Sequence, residues 1–225
     1  MTYVYQPPIL TVDCVIFQLI DNELNVLLVK RSSEPFKGEW SLPGGYNAAG
    51  DTTMEALENR VLKVKVGLAM KDLPLIEQLY AFDTVARDPR GHAVSITYMA
   101  LGNKLEPKLS DTTQTPTFIP VKDVGDIAFD HEDIIQYALE RLRTRITSST
   151  AVLALLPRHF TLTQLQNAYE AVLGHTIDKR NFRKKFLSFN LLESSNKYHQ
   201  DGAHRPALLY HFKQQKVQPL ERSFD

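Results

Sequence analysis

Between Trp40 and Leu68 the chain reads WSLPGGYNAAGDTTMEALENRVLKVKVGL, and residue types suited to handling phosphate are crowded there. Gly44 and Gly45 lack side chains, adopt conformations closed to other residues and let backbone amides approach a ligand. Asp51, Glu55 and Glu58 supply carboxylates, and Arg60 supplies a planar fork of hydrogen-bond donors. A second concentration lies in the turn Arg87-Asp88-Pro89-Arg90-Gly91-His92, where two arginines flank a tight bend and can clamp a phosphate or carboxylate. The bland alternatives are an amphipathic helix after a Gly-Gly turn, and a solvated hairpin tip.

The elements that would position these residues are legible. A short strand and a glycine-rich loop lead into a helix with Thr52 as N-cap and Glu55 completing a capping box. Met54, Leu57, Val61 and Val64 give that helix an apolar stripe, and Gly67 is placed to stop it. Leu10–Ile20 and Leu24–Arg31, parted by Asp21-Asn22, form a β-hairpin. Leu75–Val85 and Ala93–Leu101 are strands either side of the arginine turn, and Thr117–Pro120 is a short closing strand. Asp130 caps a helix with Ile134, Ile135, Ala138, Leu139 and Leu142 on its apolar face. Thr147-Ser148-Ser149-Thr150 then reads as a short polar joint.

The loop and helix resemble the Nudix box. With one extra loop residue, Gly45, Arg60, Leu62, Gly67 and Leu68 fall on that family's frame. The family's glutamates after the arginine hold magnesium and help activate water, but here those positions are Val61, Val64 and Lys65. A hard divalent cation needs several oxygen ligands, and two valines and an ammonium group supply none. The resemblance therefore implies a Nudix fold that has lost hydrolysis, with no catalytic residue, metal or cofactor. It further implies an effector pocket using Arg31, Gly45, Arg60, Glu77, Arg87 and Arg90, the last two in a turn typical of Nudix proteins that bind ADP-ribose or related compounds.

Charge divides the chain although the total is zero. Residues 1–148 hold 15 basic and 20 acidic side chains, whereas 149–225 hold 11 and 6. A basic C-terminal domain is a candidate for nucleic acid. In it, Phe160–Leu173 reads as a helix ended by Gly174, and Asp178 caps a second helix from Lys179 to about Phe189. Phe182, Phe186 and Phe189 face inward, and Arg180, Arg183 and Lys184 share the opposite arc. The stretch from Leu191 to Phe212 forms a hairpin with Lys197, His204 and Arg205 in or beside its tip.

This unit resembles a winged helix, and with the first domain it is similar to the Nudix-related transcriptional regulators. That resemblance implies an α/β (α+β) chain: a Nudix-type α/β/α sandwich over 1–148 and a winged helix-turn-helix over 149–225. It implies a homodimer paired through the Nudix domain, holding double-stranded operator DNA through Thr163, Gln164, Lys179, Arg180, Asn181, Arg183, Lys184, Lys197 and Arg205. The small-molecule effector is ADP-ribose or another NAD-related compound. Two alternatives stand beside it: a pentose-responsive regulator of the same build, and a Nudix hydrolase using Asp51, Glu55 or Glu58 as unconventional metal ligands. The single cysteine, Cys14, reads as a buried strand residue and excludes an internal disulfide framework. No apolar run is long enough to cross a bilayer and the first ten residues lack a signal-peptide layout, so a cytoplasmic protein is expected.

Overall fold

A computed structural model describes residues 7–108, 116–199 and 206–224. Strand β1 (Ile9–Ile20) is the spine of a seven-stranded sheet. It turns back on β2 (Glu23–Lys30) through Asp21 and Asn22, both with positive φ, as a tight hairpin between twisted strands requires. Its other edge runs parallel to β6 (Ala93–Gly102) from Ile9↔Ala93 to Gln18↔Gly102. β3 (Trp40–Ser41) and β7 (Thr117–Pro120) pair with β2, β4 (Gly44–Tyr46) pairs with β1, and β5 (Leu75–Phe82) closes the far edge against β6. β5 ends three residues before the expected Val85, which is itself exposed.

The period of two along β1 sorts its side chains to two faces. Val12, Cys14 and Ile16 meet Leu57, Val61, Leu62 and Val66 from the helical segment that begins with α1 (Met54–Val61). Val15 and Phe17 meet Ile134, Ile135, Ala138 and Leu142 of α2 (His131–Ser148). The domain is thus the expected sandwich, and Cys14 is buried within it.

Three local expectations are corrected. Thr53, not Thr52, caps α1: its hydroxyl accepts from the Ala56 amide at 3.1 Å, which leaves Glu55 one position short of a capping box. After Val61 the helix widens into a π turn over Leu62–Val66, which turns both of those residues into the core before Gly67 ends it in the left-handed conformation at φ 66°. Asp130 does precede α2, yet its carboxylate makes no capping bond because Arg87 holds it.

The second unit contains α3 (Leu162–Leu173), α4 (Lys179–Ser188) and the hairpin β8 (Leu192–His199) and β9 (Ala207–Phe212). Thr161 and Gln164 form a reciprocal capping box on α3, Gly174 ends it, and Asp178 caps α4. Tyr169, Phe182 and Phe186 pack together with Phe212 and Phe224.

The polar joint is not loose. α2 continues through Ser148, and Ser149 and Thr150 are buried. They are bound by the C-terminal segment, with Thr150 N donating to Gln218 O, Leu220 N to Ser148 O and Phe224 N to Thr147 O. Tyr169 donates its hydroxyl to the Ile146 carbonyl at 2.9 Å, so one apolar cluster runs from the sheet through α2 into the winged helix. No described helix is long and apolar enough to cross a membrane.

Candidate functional site

The phosphate-handling residues of the first domain converge on a pocket at the end of β1, bounded by the β4 loop, the arginine turn and the start of α2. Gly44 sits against β1 so closely that a Cβ there would lie 2.0 Å from Asp13 Oδ1, so only glycine fits. Gly45 faces Val61, which a Cβ would approach to 3.0 Å, and Val61 is part of the apolar core. Lys65 lines the pocket.

Three arginines from two distant segments meet here. Arg87 is almost fully buried and donates from Nε and Nη2 to the two Asp130 oxygens at 2.8 and 2.7 Å, with Asp13 at 3.5 Å. Burial alone would lower its pKa, but the two carboxylates outweigh that and raise it. Arg90 forms a fork on Asp88 at 2.9 and 2.7 Å and lies over the rings of Tyr46 and Phe129. Arg31 lies 4.6 Å from the centre of the Phe129 ring, held by the carbonyls of Pro35 and Ser33. Burial and then the Arg90 charge pull Arg31 below the usual arginine value. Two guanidiniums brought together on one aromatic ring make a site that an anion would relieve.

Beneath them is a buried polar base. The Leu42 amide donates to His131 Nδ1 at 2.9 Å, which leaves Nε2 to carry the proton toward Asp13 Oδ1 at 3.5 Å. Burial lowers the His131 pKa against the pull of Asp13, so the ring is neutral at ordinary pH. Ser95 donates to the other Asp13 oxygen at 2.6 Å.

Of the six pocket residues read from the sequence, Arg31, Gly45, Arg87 and Arg90 come together. Arg60 does not line the pocket: it grips Asp51 at 2.7 Å and the Tyr46 carbonyl at 2.7 Å, and so holds the β4 loop in shape. Glu77 pairs with Arg145 at 2.9 Å and ties β5 to α2. Lys65, Tyr46, Phe129, Asp13 and His131 were missed. Tyr46 and Lys65 stood inside the box and were open to reading, but nothing in the sequence brings Phe129 or His131 to it.

The carboxylates of the hydrolase alternative disperse. Asp51 is engaged by Arg60, Glu55 is exposed, and Glu58 is buried on α1. Burial, aided by Glu55, raises Glu58 to about 8, a neutral carboxyl at pH 7. These residues do not fit a magnesium ion, which needs convergent oxygens.

The basic candidates gather on the second unit. Lys179, Arg180, Asn181 and Lys184 are exposed along α4, opposite the buried Phe182 and Phe186. Arg183 is half-buried and donates to Thr163 Oγ1 at 3.0 Å, joining the first turn of α3 to α4. Gln164 is engaged in the capping box through its carbonyl oxygen. Lys197 is exposed on the wing, while Arg205 and His204 lie outside the described residues.

A Nudix domain with a cation-lined pocket, fused to a helix-turn-helix that presents a basic helix, defines a ligand-responsive transcriptional regulator. Residues 9–138 match the NUDIX domain and residues 152–212 the NrtR DNA-binding winged helix domain. The chain belongs to the Nudix-related, NrtR-type transcriptional regulators. It is 36% identical over 212 residues to the ADPR responsive transcriptional repressor NtrR of Acinetobacter baylyi, an alignment covering 92% of this chain and 83% of that protein. Its fold matches Shewanella oneidensis NrtR in complex with a 27mer DNA at a TM-score of 0.81 and 33% identity, over 96% of this chain and 99% of that one. It also matches the NUDIX domain of the same protein bound to ADP ribose at a TM-score of 0.58 and 37% identity, over 61% and 90% of the two chains.

Proposed function

We propose that this chain is a cytoplasmic, non-hydrolytic repressor that binds palindromic operator DNA as a homodimer and is released by ADP-ribose held in its Nudix pocket. Lys65 carries this reading: an ammonium at a family glutamate position repels a metal and attracts the diphosphate that the metal would otherwise bridge. Arg31 and Arg90 complete the anion contact, and the Tyr46 and Phe129 rings offer flat apolar faces for the rest of the nucleotide. A neutral pentose would leave Arg31, held by the Pro35 and Ser33 carbonyls, without an anionic partner, so the anionic effector is preferred over the sugar.

On the DNA side, Lys179, Arg180, Lys184 and Lys197 meet phosphates, and Asn181 and Arg183 reach base edges from the start of the recognition helix. Release requires only that ADP-ribose bind the arrangement unfit for DNA more tightly than the fit one; about 3 kcal/mol of difference changes operator affinity roughly a hundredfold.

Calorimetric titration with ADP-ribose in the presence of EDTA tests the pocket. Binding without divalent cation, no product released when magnesium is restored, and at least tenfold weaker binding by Lys65→Glu are expected. Magnesium-dependent consumption of ADP-ribose would replace this reading with a hydrolase.

A further inference from the structure

α4 has three apolar residues, and the core takes two of them. Phe182 and Phe186 are each 1% exposed, whereas Leu187 stands 45% exposed on a helix with five cationic side chains, Lys179, Arg180, Arg183, Lys184 and Lys185. A single exposed leucine is common on protein surfaces and by itself carries no message. The place of this one sets it apart. It follows Arg183 by four residues and Lys184 by three, so it is their neighbour on the helix surface, turned away from the phenylalanine face. Among the described residues of the second unit, the other large apolar side chain left in the open is Tyr198, 66% exposed on β8. Both therefore stand on the elements that carry the cationic residues assigned to DNA.

What an apolar side chain on that row can recognise follows from the chemistry of the duplex. Phosphates, and the donors and acceptors on base edges, reward charge or hydrogen bonding, and leucine offers neither. The apolar group that base edges present in the major groove is the C5-methyl of thymine. A leucine laid against it removes both from water, whereas against any other base edge it would strip hydration from polar atoms and return no partner.

We infer that Leu187 reads a thymine methyl in each operator half-site and is a specificity-determining residue beside Asn181 and Arg183. This rests on the operator-binding reading above and adds to it the base that one helix position selects. The contact is uncharged. It changes which sequence is preferred without changing the number of phosphates neutralised, which separates it from the neighbouring Lys184.

Uracil differs from thymine by that methyl alone and so isolates the contact. Operators are selected from random duplexes on the full chain, each thymine of the selected sequence is replaced singly by deoxyuridine, and affinities are read by fluorescence anisotropy at fixed salt. The natural chain is expected to lose about fourfold at one thymine of a half-site, the factor for one methyl returned to water. Leu187→Ala is expected to bind thymine and uracil operators alike at that position, with an unchanged salt slope, and Leu187→Met, apolar and of similar reach, to keep the discrimination. Circular dichroism melting verifies that the variants are folded. A natural chain indifferent to uracil at every thymine, or a sensitivity that persists in Leu187→Ala, would overturn the assignment and leave operator binding in place. A full chain that selects no duplex would remove the operator-binding reading, and this assignment with it.

Discussion

Arg87 donates to both carboxylate oxygens of Asp130, at 2.8 and 2.7 Å, and so fastens the arginine turn of the pocket to the residue that opens α2. His131, the next residue, accepts from the Leu42 amide of the loop carrying Gly44 and Gly45. Eighteen residues of helix then lead to Ser148, and Tyr169 of the winged helix bonds to the Ile146 carbonyl just before that end. Pocket and DNA-binding unit are thus connected through one rigid element whose first turn is a wall of the pocket.

Replacing Arg87 by Met leaves Asp130 and Asp13 as uncompensated carboxylates in a buried setting. Removing one partner of such a pair costs about 3–5 kcal/mol. Chemical denaturation is expected to register that loss. The milder Asp130→Asn is expected to keep ADP-ribose affinity within roughly threefold while reducing ADP-ribose-driven DNA release, read by fluorescence anisotropy. Unchanged release would show that coupling does not pass through this pair.

Glu58 gives a pH dependence with a defined sign. Burial raises its folded-state pKa to about 8, above the ordinary glutamate value that the unfolded chain has. The folded state therefore holds the proton more tightly, and stability falls as pH rises between those two values before levelling off above the higher one. Glu58→Gln removes the titration and keeps the shape. Its melting temperature is expected to gain on the natural chain steadily from pH 5 to 8 and to run parallel above that. A difference that does not vary with pH would contradict the neutral buried carboxyl.

Tyr169→Phe removes the hydroxyl that joins the winged helix to α2 and leaves the buried Ile146 carbonyl without that donor. A loss of about 1–3 kcal/mol in global stability is expected. Hydrogen exchange at the C-terminal end of α2 is expected to quicken in the same variant.

On the DNA side, Arg183→Ala with Lys184→Ala is expected to abolish specific operator binding while leaving ADP-ribose titrations unchanged. Lys184→Ala alone, removing a phosphate contact, is expected to lower the slope of log affinity against log salt by about one, uniformly across sequences. Loss of ADP-ribose binding in the double variant would show that the two sites are not separable.

Much of this was open to reading because it depends on local rules. The Asp21-Asn22 hairpin, the Gly67 and Gly174 stops and the Asp178 cap of α4 each follow from backbone requirements of a few adjacent residues. What depended on tertiary pairing was hidden. Asp130 is a sound cap by type, and only the arrival of Arg87, 43 positions away in sequence, draws its carboxylate aside. Arg60 and Glu77 carry charge suited to a ligand, but Asp51 and Arg145 occupy them. Phe224 lies in a tail with no apolar period, yet it is buried against Tyr169 and Phe182. A box motif specifies its own frame, and it does not announce which distant ring or charge completes the site.

The measurement that bears most directly on the central claim is a titration of the full chain against its own upstream DNA at fixed salt, repeated with ADP-ribose and with a panel of pentoses. A regulator of the proposed kind binds a specific operator and loses it in the presence of ADP-ribose alone. Release by a pentose instead, or no specific binding with ADP-ribose consumed, would contradict it.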